Sequence, residues 1–148
     1  MNFRLKIALL LIGITFLSAC AKNKAVERKH YYSWENDYGY SQVVRTGDTI
    51  YISGIASNKP TLPEQIKEIY TYIQRILNDY DVNSDAIVKQ VIYTTDIEAL
   101  KAETSLRKTF FNKNKYPSSS IIQIERLYEK EHLLEVEIVA VINKINPD

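Results

Sequence analysis

The last apolar segment of the chain, LLEVEIVAVI at residues 133–142, constrains the fold more than any other feature of the sequence. Every second residue from Leu134 onward is apolar, as in a β-strand with one buried face. On the opposite face, Glu135 and Glu137 are interspersed with apolar side chains, so this face is not an ordinary solvent-exposed surface. We therefore predict a strand within a sheet that has helices on one face and, over the half-apolar face, a second copy of the same sheet.

Other strands are predicted from β-branched or alternating runs that are bounded by turn-forming residues. Including the last strand, the predicted strands are residues 41–45, 49–55, 86–95, 120–125 and 133–142. Gly47 and Asp48 separate the first two strands and favour a tight turn between them.

Two helices are predicted between these strands. Thr61 and Glu64 have the spacing of a capping box, with Pro63 in the first turn. Apolar residues then recur at helical spacing, at Ile66, Ile69, Ile73, Ile76 and Leu77. Asp96 is predicted to cap a second helix that ends near Phe111. The resulting order ββαβαββ predicts an α+β fold, a sheet with both helices on one face.

The N-terminal segment MNFRLKIALLLIGITFLSAC has the basic start, apolar centre and small-residue end of a secretory signal. Leu17-Ser18-Ala19-Cys20 matches the lipoprotein box of bacteria, in which the cysteine is lipidated. We therefore predict a signal peptide at residues 1–19, a lipidated Cys20 with a tether over residues 20–29, and a domain over residues 30–148. Ala21 favours sorting to the outer membrane, so the expected location is the periplasmic face of the cell envelope.

The composition argues against several classes of function. The 19 basic and 18 acidic side chains nearly balance, so bulk charge does not favour nucleic-acid binding. The single cysteine excludes an internal disulfide. Two scattered histidines and no cysteine pair supply no metal-ligand set, so neither a metal nor another cofactor is predicted.

Three consecutive serines, Ser118 to Ser120, follow Pro117 and permit three interpretations. They form a turn, they bind a ligand in a cleft, or one of them is a hydrolase nucleophile. The third interpretation is disfavoured because a serine nucleophile needs an adjacent base. His30 and His132 are the only histidines, neither is at a recognised spacing, and the G-x-S-x-G motif is absent.

Three segments carry a resemblance to a known family: GYSQVVRTGDTIYISG, VIYTTDIEAL and LLEVEIVAV, at residues 39–54, 91–100 and 133–141. Their order and spacing resemble the RidA/YjgF family of enamine and imine deaminases, also called the L-PSP family, over residues 38–142. Ser33-Trp34-Glu35 and the segment EHLLEVE are closer to the divergent Rid subgroups. The resemblance implies a chorismate-mutase-like fold that assembles as a homotrimer, with small-molecule clefts between subunits.

The resemblance also assigns roles to individual residues. Tyr40 matches the tyrosine of the family's site, and Gly54 matches a glycine of the second strand. Glu135 matches the glutamate that positions the attacking water and handles protons, and Glu137 matches a second, less directly involved glutamate. Tyr40 and Glu135 are therefore the predicted catalytic residues. The alternative for both is a purely structural role at a subunit interface.

One residue that defines the active deaminases is replaced in this chain. Their arginine, which clamps the substrate carboxylate, follows Pro-x, and counting from Pro117 its place is held by Ser119. Arg126 and Arg107 are candidates to supply the charge from another direction. The predicted ligand-binding residues are Gly54, Thr104, Ser119, Ser120 and Ile121.

Two functions remain open at this point. One is hydrolysis of an imine or enamine to a carbonyl compound and ammonia, which requires Glu135 as an acid or base. The other is a non-catalytic module that binds a small ligand on the trimeric scaffold. A mixed trimer in which another chain supplies the arginine is a third hypothesis. An endoribonuclease, a label attached to this family, is not supported because the chain has neither a basic stripe nor paired histidines.

Overall fold

The computed structural model describes residues 25–142, and these residues are organised around a mixed β-sheet. Its strands, numbered in chain order, are β1 (Val26–Lys29), β2 (Val43–Thr46), β3 (Thr49–Ala56), β4 (Ile87–Thr94), β5 (Ser118–Gln123) and β6 (Leu134–Val141). They lie side by side in the order β1-β2-β3-β6-β4-β5. Only β4 and β5 are parallel; the other neighbouring pairs in this part of the chain are antiparallel. The C-terminal strand therefore joins the two halves of the sheet.

Helices cover one face of this sheet, as predicted. The α-helical segments are α1 (Trp34–Asp37), α2 (Leu62–Asn78), α3 (Ile97–Ala102) and α4 (Thr104–Lys108), and a 3-10 turn at Ser84–Ala86 precedes β4. The predicted apolar stripe of α2 is completely buried or nearly so. Phe110, which follows α4, stacks on Tyr70 of α2 with ring centroids 4.8 Å apart. Both helical regions therefore pack on the same face, and none of the described helices is long and apolar enough to cross a membrane.

The alternating pattern of β6 appears in the structure as alternating burial. Leu134, Val136, Ile138 and Ala140 are buried beneath the helices, and the residues between them are partly exposed. We call the helix-covered side the inner face of the sheet and the opposite side the outer face. Tyr51 of β3, paired with Val139 of β6, is 47% exposed on the outer face. The predicted facing of β6 is confirmed, and the outer face is uncovered in the single protomer.

Local turn and cap predictions are largely confirmed. Gly47 has a φ of 58° in the two-residue turn between β2 and β3, a conformation that glycine adopts without strain. The Asp96 carboxylate accepts a hydrogen bond from the backbone N–H of Ala99 at 2.9 Å and caps α3. At the start of α2, the Thr61 hydroxyl donates to the Glu64 carboxylate at 2.7 Å. This side-chain pair replaces the predicted reciprocal bonds to the backbone.

The segment expected to be a tether contains a strand. Val26–Lys29 pair with β2 as the edge strand β1, and Lys29 forms an ion pair with Asp79 at 2.6 Å. Nearly all of β1 is exposed, so the sequence shows no alternation that would indicate a strand. The folded part of the chain thus begins before residue 30. Residues 1–24 and 143–148, which include the predicted signal peptide and Cys20, lie outside the described residues.

The predicted second helix is divided into two. Glu103, between α3 and α4, has φ and ψ of −87° and 15°. The Thr104 hydroxyl donates to the carbonyl oxygen of Lys101 at 2.7 Å. A hydroxyl that bonds to the backbone in this way competes with regular helical hydrogen bonding, so the helix breaks at this point. The spacing of the apolar residues does not report such a polar contact, and the break was therefore not predicted.

The serine triplet forms the start of a strand and not a turn. Ser118, Ser119 and Ser120 pair in parallel with Lys89, Gln90 and Val91 of β4, respectively. The interpretation of these serines as a turn is therefore wrong. Serine has little strand preference of its own, and pairing with β4 over six residue pairs imposes the extended conformation.

Candidate active site

A groove of about 780 Å³ opens on the outer face, where β4 and β6 meet the segment that follows β5. Its lining is Tyr93, Ile124, Arg126, Leu127, Tyr128, Glu129, Glu135 and Glu137. Glu135 and Glu137 are two residues apart on β6, so both side chains leave the strand on the same side. The groove therefore combines a pair of neighbouring carboxylates, one guanidinium group and an apolar and aromatic wall.

Glu135 has the environment of a proton-transfer group. It is paired with Tyr93 of β4 on one side and with Ala56 of β3 on the other, in the middle of the sheet. Burial of its carboxyl group raises its pKa, and the negative charge of Glu137 raises it further. The same charge on Glu137, more than burial, raises the pKa of Tyr93. A carboxyl group with a raised pKa binds and releases a proton closer to neutral pH, which suits acid–base catalysis.

Gly54 lies directly against the Glu135 carboxylate. A β-carbon at this position would be 2.6 Å from Cδ of Glu135 and would also overlap Oε1. Gly54 lies where the register between β3 and β6 shifts, between Ile52 and Ile55. The absence of a side chain at Gly54 therefore leaves the space in which the Glu135 carboxylate is held.

Gly54→Ala is expected to displace the Glu135 carboxylate toward solvent and to lower the pKa of Glu135 toward its ordinary value. The reason is that the three atoms nearest to the added methyl group all belong to the flexible side chain of Glu135. An NMR titration of the Glu135 carboxyl carbon measures the effect.

Gly39→Ala is the matched control for this substitution. Gly39 has a φ of 74°, and no atom lies within 4 Å of the position that an added methyl group would take, so alanine there strains only the backbone. It is expected to cost about 1 kcal/mol of stability and to leave the titration of Glu135 unchanged. Identical Glu135 titrations in Gly54→Ala and in the wild type would contradict the packing argument.

Tyr40 lies in the same electrostatic environment as Glu135. The ring is 37% exposed, and burial of its hydroxyl raises the pKa of Tyr40. Hydrogen bonding from Trp34 acts in the opposite direction, and the charges of Glu35 and Glu135 raise the pKa further. The structure thus brings Tyr40, Gly54 and Glu135 into one region, although they come from three separate segments.

Glu35 organises the segment that carries Tyr40. It is completely buried, and its Oε1 accepts hydrogen bonds from the backbone N–H groups of Tyr31 and Tyr32, each at 2.9 Å. Its Oε2 accepts from the N–H of Gln42 at 2.9 Å, and its carbonyl oxygen accepts from the N–H of Tyr40 at 3.0 Å. The place of Glu35 in the Ser33-Trp34-Glu35 segment predicts no role for it. Its role as an acceptor of backbone hydrogen bonds depends on its burial, and no pattern in the sequence indicates that burial.

Of the two arginines considered as substitutes, only Arg126 lines the groove. Arg107 lies on α4, and its Nη2 donates to the Thr104 hydroxyl at 3.3 Å. Thr104 itself is exposed, with its hydroxyl engaged by Lys101 and Arg107.

Tyr93 is a further groove residue, and it was not predicted from the sequence. It belongs to a strand whose apolar pattern concealed it.

The serines predicted to bind ligand lie outside this groove in a single protomer. Gln90, buried on the inner face, donates from Nε2 to the Ser119 hydroxyl at 3.1 Å and accepts from the Tyr70 hydroxyl at 2.8 Å. Ile121 packs against the core, and Ser120 is paired with Val91 at the edge of the sheet. None of these three residues therefore contributes to the groove of its own protomer.

Neither histidine lines the groove. Nε2 of His30 lies 3.2 Å from the Ser41 hydroxyl, and the backbone N–H of His132 donates to the carbonyl oxygen of Glu129. Within residues 25–142 no group of three or more histidine, cysteine, aspartate or glutamate side chains is arranged to hold a metal ion. The polar side chains that line the groove are those of its three glutamates, its two tyrosines and Arg126.

Comparison with known proteins identifies the family. A family model described as Endoribonuclease L-PSP matches residues 34–142. The chain belongs to this L-PSP family, the RidA/YjgF proteins. RutC family protein UK114 of Drosophila melanogaster is 25% identical over 114 residues, which cover 72% of this chain and 81% of that protein. RutC family protein BU371 of Buchnera aphidicola is 29% identical over 112 residues, which cover 68% and 85%.

Solved structures confirm the fold of this L-PSP family member. Rv2704 of Mycobacterium tuberculosis, a YjgF/YER057c/UK114 family protein, superposes with a TM-score of 0.73 at 22% identity, covering 80% of this chain and all of that one. NMB1025 of Neisseria meningitidis, a YjgF family protein, gives a TM-score of 0.73 at 20% identity, covering 82% and 98%. At these identities the similarity establishes the architecture alone. The predicted α+β fold of the RidA type is thus confirmed.

Proposed function

We propose that this L-PSP family protein hydrolyses an imine or enamine in the groove, releasing a carbonyl compound and ammonia. One observation carries the proposal: the half-buried Glu135, with a raised pKa, lies against Gly54 in a groove that also contains Glu137. A carboxylate held in this way, beside a cavity large enough for a small molecule, is suited to transfer protons to and from a substrate.

The proposed reaction requires a single acid–base group. Glu135 accepts a proton from water as the water oxygen bonds to the imine carbon, and it then delivers that proton to the imine nitrogen. Next it accepts the hydroxyl proton of the carbinolamine and delivers it to the nitrogen as the C–N bond breaks, so the nitrogen leaves as ammonia carrying the hydrogen of the imine and both protons of the water, and Glu135 is ionised again. An enamine is first protonated on carbon to give the imine. Tyr93, which lines the groove, supplies a hydroxyl group that orients the water or the substrate. Tyr40 lies outside the groove lining of the single protomer, and its role is to act near the Glu135 charge that raises the pKa of Tyr40.

A non-catalytic ligand-binding module is the competing function. It is favoured by the hydrogen bond between Gln90 and Ser119, which engages the serine at the place where the resemblance puts a substrate-binding arginine. Binding requires only shape and hydrogen bonds, whereas hydrolysis requires that Glu135 change its protonation state. The two functions therefore differ in their dependence on this one carboxyl group.

We also propose that the active form is a homotrimer with the ligand cleft between subunits. The partly apolar outer face, with Tyr51, Val139 and Val141 uncovered in the protomer, supports this assembly. Ser119 and Ser120 lie on the edge strand β5 and outside the groove of their own protomer, which leaves them free to contribute to a cleft between subunits in such an assembly.

The test of the proposed function is ammonia release by the full-length protein, purified in detergent, after its mass in solution has been measured. The substrates are enzymatically generated 2-aminoacrylate and a panel of imines without a carboxylate, each compared with its spontaneous hydrolysis. We expect a single-species trimer that accelerates hydrolysis of at least one substrate. A well-folded trimer without acceleration on any substrate would favour the binding module instead.

The family description also names an endoribonuclease, which the groove does not favour. Three of its charged lining residues are glutamates and one is an arginine, so the groove repels a phosphate backbone more than it attracts one. We therefore expect no RNA cleavage in the same preparation.

We infer that the domain is anchored by a lipid on Cys20 to a membrane of the bacterial envelope and faces the periplasm. The inference rests on the lipoprotein box and on Ala21, which favours the outer membrane. Cys20→Ala is expected to abolish metabolic labelling by a palmitate analogue and to move the protein out of the membrane fraction. Equal labelling and unchanged fractionation of Cys20→Ala would contradict the inference.

A further inference from the structure

Aromatic side chains gather at the end of β1, beside α2. The rings of Tyr32 and Trp34 stack in parallel with centroids 4.1 Å apart, and the two residues are 39% and 46% exposed. Tyr72 of α2 lies against Tyr31 and Tyr32, with ring centroids 6.0 and 6.1 Å apart. We call these four residues the aromatic patch. Tyr31 and Tyr72 pack on the core, whereas the stacked pair is exposed in the protomer, as in a surface that a partner covers.

The aromatic patch has a cation at its rim. The guanidinium group of Arg75 lies over the Tyr72 ring, 4.6 Å from its centroid, and Nη2 of Arg75 is 3.5 Å from the Tyr32 hydroxyl. The nearby Asp79 carboxylate is engaged by Lys29 at 2.6 Å, and Arg75 forms no ion pair within the described part of the chain. Tyrosine, tryptophan and arginine each combine an apolar body with a polar tip, which suits the boundary between lipid and water.

The aromatic patch also lies close to the point where the chain enters the folded domain. β1 begins at Val26, six residues after Cys20, and six residues span at most about 20 Å. Lys29 ends β1, and its ammonium group is 4.8 Å from the centroid of the Tyr31 ring. A lipid on Cys20 therefore keeps this edge of the sheet, and the patch beside it, within reach of the bilayer surface.

The proposed trimer leaves the α2 side of the patch uncovered. Tyr72 and Arg75 belong to α2, which packs on the inner face of the sheet, whereas the groove opens on the outer face. Association of the outer faces of several copies does not cover the flank of α2. This surface is therefore available to a partner other than the neighbouring subunits.

We propose that the aromatic patch is a membrane-binding surface whose rings lie in the headgroup region of the phospholipid bilayer that anchors the chain. The presence of this bilayer rests on the lipid anchor inferred above, but the exposure and chemistry of the patch do not. The lipid fixes one point of the chain, and insertion of Tyr32 and Trp34 supplies a second contact. The domain thereby takes one orientation relative to the membrane.

Trp34 is the only tryptophan of the chain, so tryptophan fluorescence reports on the aromatic patch alone. The full-length protein is purified in detergent and reconstituted into vesicles of phosphatidylethanolamine and phosphatidylglycerol, with or without bromine on the acyl chains close to the headgroup. We expect the brominated lipids to quench about half or more of the Trp34 emission, because interfacial tryptophans lie near that depth. Equal emission in both kinds of vesicle would overturn the proposal.

A tryptophan at another exposed position is the matched control. Tyr116 is 47% exposed on the segment that precedes β5, and β5 and β1 are the two opposite edges of the sheet. The double variant Trp34→Phe/Tyr116→Trp keeps an aromatic ring beside Tyr32, and its emission is expected to be unchanged by the brominated lipids. Equal quenching in this variant and in the wild type would overturn the proposal, because lipid contact would then not be specific to the patch.

Labelling by the palmitate analogue separates failure of this proposal from failure of the lipid anchor. If Cys20 is labelled and the brominated lipids leave Trp34 emission unchanged, the membrane-binding surface fails while the anchor stands. If Cys20 is unlabelled and Trp34 is quenched, the patch binds the bilayer by itself and the anchor fails. If neither brominated lipid nor acrylamide in the water quenches Trp34, protein covers the patch, either a second copy or another chain, and the proposal is overturned.

Discussion

Glu135→Gln is expected to reduce imine hydrolysis by about 100- to 10,000-fold, the range for removal of a positioned acid–base group. Glutamine occupies nearly the same space beside Gly54, so the shape of the groove is kept while the ability to exchange a proton is lost. The measurement is kcat/KM for ammonia release with the best substrate of the panel. Denaturant unfolding and the mass in solution serve as checks that the variant keeps its fold and its assembly.

Glu125→Gln is the matched control, because Glu125 is an exposed carboxylate outside the groove lining. It is expected to retain wild-type turnover. If Glu135→Gln retains more than a tenth of wild-type turnover, Glu135 is not the acid–base group of the reaction.

The pH dependence of the reaction follows from the raised pKa of Glu135. The first step needs the ionised carboxylate, so kcat/KM is expected to rise with pH through the pKa of Glu135, above the usual range for glutamate. Glu137→Gln removes the neighbouring negative charge and is expected to shift this rise in kcat/KM to lower pH. If the rise occurs at the same pH in Glu137→Gln as in the wild type, another group controls the pH dependence of kcat/KM.

The same pKa shift affects stability. Because folding favours the protonated form of Glu135, its contribution to stability is fully present below the unfolded-state pKa and is lost as pH rises through the folded-state pKa. Above the folded-state pKa, the ionised Glu135 therefore opposes folding. Glu135→Gln is therefore expected to be more stable than the wild type at a pH above this folded-state pKa, and denaturant unfolding measures the difference. A gain of stability together with a loss of turnover is typical of functional residues.

Glu35→Ala is expected to lower the free energy of unfolding by about 3 kcal/mol or more, the largest effect on stability that we predict. The substitution leaves three backbone N–H groups, those of Tyr31, Tyr32 and Gln42, without their acceptor. Glu35→Gln keeps the acceptor for two of them and places an amide NH₂ group against the third, so a smaller loss is expected. Denaturant unfolding measures both variants.

Hydrogen exchange provides the local readout for this prediction. The amides of Tyr31, Tyr32 and Gln42 are expected to exchange faster in Glu35→Ala than in the wild type. Asp37→Ala, an exposed substitution in the same short helix, is the control and is expected to change stability by no more than about 0.5 kcal/mol. If Glu35→Ala and Asp37→Ala were equally stable, the buried carboxylate would have no structural role.

Elements with a strong local pattern were predicted correctly from the sequence. The alternation in residues 134–142 and the stripe from Ile66 to Leu77 correspond to β6 and α2 with the expected buried faces. Both patterns arise from burial of one side of a single element, so they are visible in a short window of sequence. The hairpin at Gly47 and the cap at Asp96 are equally local, because each depends on neighbouring residues.

Elements held mainly by distant partners were missed. The strand β1 is polar and exposed, and its conformation depends on pairing with β2 and on the ion pair between Lys29 and Asp79. The strand conformation of Ser118 and Ser119 depends on the parallel partner β4. In both cases the local residues have little preference for a strand, and a partner distant in sequence decides the conformation.

The amino-acid sequence alone was sufficient to predict the family, the α+β architecture and the half-exposed character of the last strand, because these follow from periodic burial and from motifs of contiguous residues. The composition of the candidate site, in contrast, became known only from tertiary contacts. These contacts place Gly54 against Glu135, bring Arg126 and not Arg107 to the groove, and engage Ser119 with Gln90. They join segments that are distant in the chain, and the order of strands in the sheet, which no local pattern encodes, brings those segments together.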